Sequence, residues 1–183
     1  MTNIVKTFSS FEPLPGTRTT QSGKAKPKRV LGIDPGLANT GFGIVDYCSG
    51  RYRVAAYGVI ETRSDSQRSE RLLLIYDRLS SVIEEFNPEE AAMETLFFAK
   101  NVSSAMSVSE SRGVISLCLA QRRVPLNEYA PNQIKQAVTG TAAADKSLVE
   151  KYLKLLLGLE SEPKPDHAAD ALACAITHIH NHF

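Results

Sequence analysis

The sequence contains little cysteine, and its three cysteines, Cys48, Cys118 and Cys174, show no CxxC spacing. An odd number of dispersed cysteines argues against a disulfide framework and a structural zinc site, and is typical of reduced thiols in the cytoplasm. No apolar stretch approaches the roughly 20 residues of a membrane-spanning helix. The N-terminus also lacks the apolar core of a signal peptide. We therefore expect a cytoplasmic protein that makes no contact with a membrane.

The chain also carries almost no net charge, +1 at pH 7 over 183 residues. Six of the 21 basic residues but only one of the 20 acidic residues fall within 1–29. Residues 1–28, rich in Ser, Thr, Pro, Gly and Lys, are predicted to be a disordered basic tail. Residues 29–183 are then one domain in which acids outnumber bases. Such a domain would bind nucleic acid through local patches, with metal offsetting some of its acids.

The apolar pattern of residues 29–183 predicts an α/β fold. Three strands joined by hairpin-type turns come first, and helices alternating with shorter strands follow. The predicted strands cover 29–34, 41–47, 52–62, 91–94 and 125–129, and the predicted helices cover 70–86, 103–121, 132–139, 146–157 and 167–180. Asn132 and Asp166 are the expected N-caps of their helices. This order indicates a mixed sheet with helices on its faces.

Potential metal ligands stand where predicted elements begin or end. Asp34 closes one apolar run and Glu94 closes another, while His167 and Asp170 begin the last helix. A carboxylate at the end of a buried strand is poorly solvated, so such a position usually serves chemistry. Carboxylates from several elements are suited to hold divalent cations against a phosphate.

Spacing alone leaves the ligand pair on the last helix open. His167 and Asp170 share a helix face at i and i+3, but Asp166 and Asp170 share one at i and i+4. A capping Asp166 beside a solvated His167 fits the same pattern.

The segment after Glu94 places two aromatic rings and a lysine in what should be an exposed loop. An exposed ring beside a metal site suits stacking on an unpaired base, and Lys100 would then contact backbone phosphate. Phe97 and Phe98 could both be core residues, and at least one of them is expected there.

Glycines surround Asp34, in LGIDPG at 31–36 and TGFG at 40–43. Glycine lets backbone N–H groups approach a phosphate closely. Actin-like ATPases and sugar kinases open with a similar pattern. They need a second glycine-rich strand pair and a second lobe, however, and this chain has no internal repeat and is too short.

Several motifs together resemble the RuvC family of Holliday junction resolvases. They run in order from about residue 29 to 180: LGIDPG with TGFG, METLFFAKN, SRG at 111–113, EYAPNQIKQAVTG at 128–140, DKS at 145–147 and HAADALACAITH. The resemblance implies an RNase H-like fold with a five-stranded mixed sheet flanked by helices. It also implies a homodimer that nicks four-way junction DNA symmetrically in recombination and repair, with the branch-migration proteins RuvA and RuvB as partners.

The resemblance also implies roles for individual residues. The catalytic and metal-binding positions of the family fall on Asp34, Glu94, His167 and Asp170. The match to His167 is fixed by the alignment of the motif HAADALA. Many relatives have Asp where this chain has His167. The expected cofactor is Mg²⁺, two ions per subunit, with Mn²⁺ accepted. The resemblance implies DNA contacts by Phe97, Lys135 and Lys146, and Lys100 and Arg112 are further candidates. Phe98 is then assigned to the core.

Two further hypotheses concern assembly and catalysis. The predicted helix 103–121 is the candidate dimer-facing element, through Met106, Val108, Val114, Ile115, Leu117 and Leu119. The alternative to an enzyme is a non-catalytic junction-binding module. Such a module would have no use for Asp34, Glu94 and Asp170 together.

Overall fold

The structure, a computed structural model, describes residues 26–95 and 102–183. They form β1 (Lys28–Asp34), β2 (Asn39–Cys48), β3 (Arg51–Glu61), α1 (Arg68–Phe86), β4 (Glu90–Glu94), α2 (Val102–Gln121), β5 (Leu126–Tyr129), α3 (Pro131–Thr139), α4 (Lys146–Leu157) and α5 (Asp166–His182). Every predicted element is present, and its ends differ from the prediction by at most two residues. Lys28, assigned to the tail, already belongs to β1, whereas the rest of the predicted tail up to residue 25 lies outside the described residues.

The five strands form one mixed sheet in the order β3-β2-β1-β4-β5. β1, β2 and β3 are antiparallel neighbours, whereas β4 lies parallel to β1 and β5 lies parallel to β4. The predicted mixed sheet is therefore confirmed. Its centre is β1, the strand that ends in Asp34.

Helices cover both faces of the sheet and divide the core in two. Because successive side chains of a strand point to opposite faces, neighbours on β1 enter different halves. Val30 packs with residues of α3, α4 and α5, while Leu31 and Ile33 pack with residues of α1 and α2. Asp34, at the end of β1, is only partly buried.

Both predicted helix caps are wrong. α3 begins one residue earlier, with Ala130 as N-cap and Pro131 in the first turn, and the Gln133 side chain accepts the Ala130 backbone N–H at 2.8 Å. α5 likewise begins at Asp166, with Pro165 as N-cap. In α3, Pro131 stands at the first helical position, where its preset backbone angle favours a helix start and outweighs the capping signal of Asn132.

Glycines on β1 and β2 allow α5 to lie directly on the sheet. A Cβ atom on Gly32 would lie 1.8 Å from the carbonyl oxygen of Ala171, and one on Gly41 would lie 1.9 Å from that of His167. Both distances are far below van der Waals contact. The predicted role of these glycines in approaching a phosphate is therefore wrong for Gly32 and Gly41, because their partner is a helix of the same chain.

The proposed dimer-facing residues of α2 point in different directions. Ile115 and Leu119 are buried in the half of the core that contains α1, so this part of the prediction is wrong. Met106 and Leu117 remain 58% and 54% exposed. Separately, none of the helices in the described ranges combines the length and apolar character needed to cross a membrane.

Candidate active site

The two acids predicted at strand ends lie side by side. β1 and β4 are parallel with Ile33 paired to Met93, so the next residues, Asp34 and Glu94, are neighbours at one edge of the sheet. The carboxyl ends of parallel strands are the usual place for a site in an open α/β sheet.

The first turn of α5 brings two more candidate ligands to this edge. The backbone of His167 lies over Gly41, the residue that pairs with Asp34 across the β1–β2 ladder. As a result, Nδ1 of His167 lies 2.6 Å from Oδ2 of Asp34. Asp170 lies one turn further along and lines a cavity with Asp34. The close packing of α5 thus assembles the site.

That cavity, of about 250 Å³, gathers three acids and two lysines. Asp34, Glu94 and Asp170 line it together with Lys135 of α3 and Lys146 of α4. Its remaining walls include Pro131, Ile134, Val149, Ala173 and Cys174. The structure therefore brings together five residues that the sequence motifs indicated. His167 instead lines an adjoining cavity of about 350 Å³.

The acids of the cavity repel one another. Burial raises the pKa of Glu94 above its ordinary value, and the charges of Asp34 and Asp170 raise it further. Burial and the charge of Asp34 raise the pKa of Asp170 as well, against the opposing effect of Lys146. Because both carboxyl groups hold protons more tightly when folded, ionising them destabilises the folded chain as pH rises through those pKa values. A bound cation would remove this cost.

His167 and Lys146 contact the acids of the site. The hydrogen bond to Asp34 is the main cause that raises the pKa of His167, which favours the protonated imidazole. Nζ of Lys146 lies 3.2 Å from Asp170 and 3.1 Å from Asp166. Asp166 also pairs with Lys164 and does not line the acidic cavity. Of the two residues, His167 is thus the one whose side chain contacts Asp34, and its assignment as a metal ligand stays a prediction.

The donor set suits hard divalent cations. Three carboxylates and one imidazole match ligands accepted by Mg²⁺ and Mn²⁺. Burial first, and then repulsion between the acids, raises the pKa of Glu94 and of Asp170, and a bound cation would oppose both effects. Within the described ranges, no three His, Cys, Asp or Glu side chains stand at metal-ligand spacing. In this structure Oδ2 of Asp34 contacts His167 and Oδ2 of Asp170 contacts Lys146.

Arg112 holds the end of β4 in place. Its Nη1 donates to the carbonyl oxygen of Glu94, and its Nη2 lies 2.6 Å from the Glu128 carboxylate. Only 12% of its side chain is exposed. Sequence reasoning missed this positioning contact, since nothing in the spacing links α2 to β5. The prediction that Arg112 contacts DNA stays a prediction, and Phe97, Phe98 and Lys100 lie outside the described residues.

The fold and the site together define the RNase H-like class. The sheet is mixed, with the order β3-β2-β1-β4-β5, acids end its two central parallel strands, and a third acid lies on the last helix. A family model described as "Crossover junction endodeoxyribonuclease RuvC" matches residues 30–178. The chain therefore belongs to the RuvC family.

Individual relatives agree with this assignment. The chain is 57% identical over 150 residues to a crossover junction endodeoxyribonuclease RuvC of Treponema denticola, which covers 82% of this chain and 84% of the relative. A Treponema pallidum relative with the same description is 49% identical over 151 residues, covering 82% of this chain and 77% of the relative. A solved structure of Thermus thermophilus RuvC in complex with a Holliday junction substrate is 34% identical, with a TM-score of 0.81 over 84% of this chain and 94% of that one.

Proposed function

We propose that this chain is a crossover junction endodeoxyribonuclease, which resolves Holliday junctions in recombination and repair by paired, symmetric phosphodiester hydrolysis. The observation that carries the proposal is the single cavity in which Asp34, Glu94 and Asp170 meet Lys135 and Lys146. Acids hold cations and lysines contact phosphates, so the cavity suits the backbone of a nucleic acid. A non-catalytic junction-binding module would not explain three mutually repelling acids.

The positions of the residues support a role for each of them. Asp34 lies beside Glu94 and contacts His167, which supports a shared role for Asp34 with both proposed cations. Two divalent cations held by Asp34, Glu94, His167 and Asp170 would supply an activated water and stabilise charge at the scissile phosphate. Lys146 neutralises Asp170 in this structure and can turn to a DNA phosphate, and Lys135 faces the same cavity. Cleavage on this scheme leaves 5′-phosphate and 3′-hydroxyl ends.

The direct test is nicking of a synthetic four-way junction. We expect symmetric nicks that require Mg²⁺ or Mn²⁺ and stop when the ions are chelated. A duplex of the same sequence serves as the control substrate, and equal cutting of both would contradict junction selectivity.

His167 is expected to set the preference between metals. Mg²⁺ strongly prefers oxygen ligands, whereas Mn²⁺ accepts imidazole more readily. His167→Asp should therefore keep activity but narrow the advantage of Mn²⁺ over Mg²⁺, measured as the ratio of single-turnover nicking rates. Asp166→Ala is the matched control, because Asp166 lies outside the cavity and contacts Lys146 and Lys164. If Asp166→Ala stopped nicking while His167→Ala did not, Asp166 would be the ligand.

Phe97 is expected to stack on a base at the crossover. Removing such a ring costs roughly 1–3 kcal/mol. Phe97→Ala should therefore reduce the nicking rate about 5- to 150-fold, and it should reduce junction affinity less. Phe98→Ala is the comparison, since a core ring should lower the thermal midpoint instead. An exchange of these two phenotypes would reverse the assignment.

The proposal includes a twofold dimer, because two active sites at fixed separation match the symmetry of a junction. The exposed side chains Met106 and Leu117 of α2 are the candidate contact in the described part of the chain. A Met106→Lys, Leu117→Lys double variant analysed by size exclusion with light scattering tests this point. We place the enzyme in the cytoplasm, with RuvA and RuvB as expected partners.

A further inference from the structure

A second cavity, lined by an arginine and a histidine, lies beside the acidic cavity. It has a volume of about 350 Å³ and is lined by the turn after Asp34, from Gly36 to Asn39, and by Arg71, Ser107, Val108 and His167. His167 borders this cavity and also contacts Asp34, which lines the acidic cavity. The two cavities therefore adjoin at the Asp34–His167 pair, and Lys135 and Lys146 line only the acidic one.

Arg71 is held rigidly at this cavity. Its Nε donates to Oγ1 of Thr62 at 2.8 Å, and that hydroxyl donates to the carbonyl oxygen of Leu37 at 2.6 Å. The backbone N–H of Thr62 also donates to the carbonyl of Ala38 at 2.9 Å. This chain of hydrogen bonds fixes the guanidinium to the turn that follows Asp34.

Within the part of the chain that the structure describes, no acidic side chain neutralises the charge of Arg71. No carboxylate there forms an ion pair with Arg71, whereas the nearby Arg68 is paired with Glu110 at 2.6 Å. Nη1 and Nη2 of Arg71 form no hydrogen bond with the described residues. A planar guanidinium with both terminal nitrogens available matches two oxygens of a phosphate.

We propose that Arg71 binds the backbone phosphate of the cleaved strand that neighbours the scissile phosphate, on the side away from Lys146. The inference rests on the proposed function and adds a second anchor to it. Lys135 and Lys146 would bind the DNA strand on one side of Asp34, and Arg71 would bind it on the other side. The scissile bond would then be held between two contacts. Thr62 is then a positioning residue for Arg71.

The first experiment measures junction affinity against salt concentration, with all proteins carrying Asp34→Asn so that the substrate stays intact. Arg71→Gln should reduce the slope of log affinity against log salt by about 0.7–0.9 for each phosphate contact removed. Thr62→Val should lower affinity less and keep the slope. Arg51→Gln is the matched control, because Arg51 is exposed at the opposite end of the sheet, and it should change neither quantity.

The second experiment identifies the phosphate. Junctions carry one uncharged methylphosphonate linkage at each position flanking the cut in turn. At the contacted position, the neutral linkage should lower the junction affinity of the protein that keeps Arg71 about tenfold. It should cause no further loss of affinity in Arg71→Gln. If each linkage weakened both proteins equally, or if Arg71→Gln lowered only the thermal midpoint, the inference would be overturned. Failure of the Asp34→Asn parent to bind junctions would instead overturn the proposed function.

Discussion

Asp34→Asn is expected to reduce nicking of a four-way junction at least about 1000-fold, the upper range for loss of one electrostatic stabiliser, while junction binding changes little. Asn has the same size and can still hydrogen-bond to His167, so the edge of the sheet keeps its shape. The substitution removes the charge that lies between Glu94 and His167, which on the proposed function would hold cations on both sides. Junction recognition is expected to depend instead on contacts that other residues make to the DNA backbone.

The measurement is single-turnover nicking beside junction affinity at one salt concentration. Asp77→Asn, an exposed acid on α1, is the control and should behave like the parent. Because Asp34 repels Glu94 and Asp170, the thermal midpoint of metal-free Asp34→Asn should stay the same or rise. Nicking at a rate near the parent's would refute the assignment of Asp34 to the metal site.

Gly32→Ala is expected to cost at least about 3 kcal/mol of folding free energy, the upper range for overpacking. The added methyl group would lie 1.8 Å from the carbonyl oxygen of Ala171 and 2.7 Å from the backbone nitrogen of Ala175. Backbone atoms of a helix cannot rotate away, so α5 must move off the sheet. His167 and Asp170 would move with it, and activity should fall together with the thermal midpoint.

Two other glycines provide graded controls for this measurement. Gly43, which pairs with Gly32, would place its methyl group 2.8 Å from Cδ2 and 3.2 Å from the backbone Cα of Leu172. Because these distances are longer than the 1.8 Å to a backbone atom at Gly32, Gly43→Ala should cost less. Gly113 is a helical glycine whose added methyl group would meet no atom of another described segment within 4 Å, and Gly113→Ala should keep or raise the midpoint. Equal midpoints for all three variants would contradict the role assigned to close packing of α5.

The sequence predicted the sheet and the placement of the acids because both follow from local rules. Alternating and continuous apolar runs mark strands, and a carboxylate directly after such a run must lie at a sheet edge. Asp34 and Glu94 are therefore visible without coordinates. Spacing did not identify His167 as the candidate ligand, since Asp166 met the same criterion. Only the alignment of the family motif favoured His167.

What the sequence did not reveal depends on contacts between distant segments. The Arg112–Glu128 pair behind Glu94 and the Arg71–Thr62 link behind the Asp34 turn both join elements whose relative placement no local pattern specifies. The glycines of β1 and β2 were noticed, but their partner was misassigned. A glycine indicates that something approaches the backbone, and the sequence does not say whether that is a ligand or a helix.

The packing of α5 has a consequence for how the site can open and close. The helix is buried almost continuously from Ala168 to Ile179, and its first turn carries His167 and Asp170. Segments with so much buried contact generally exchange their amide hydrogens only through global unfolding. Two of the four candidate ligands are therefore carried by a helix whose body is buried in the core. A cation that binds them in the folded chain and not in the unfolded chain would stabilise the packing of this helix, so occupancy of the site would be thermodynamically coupled to folding.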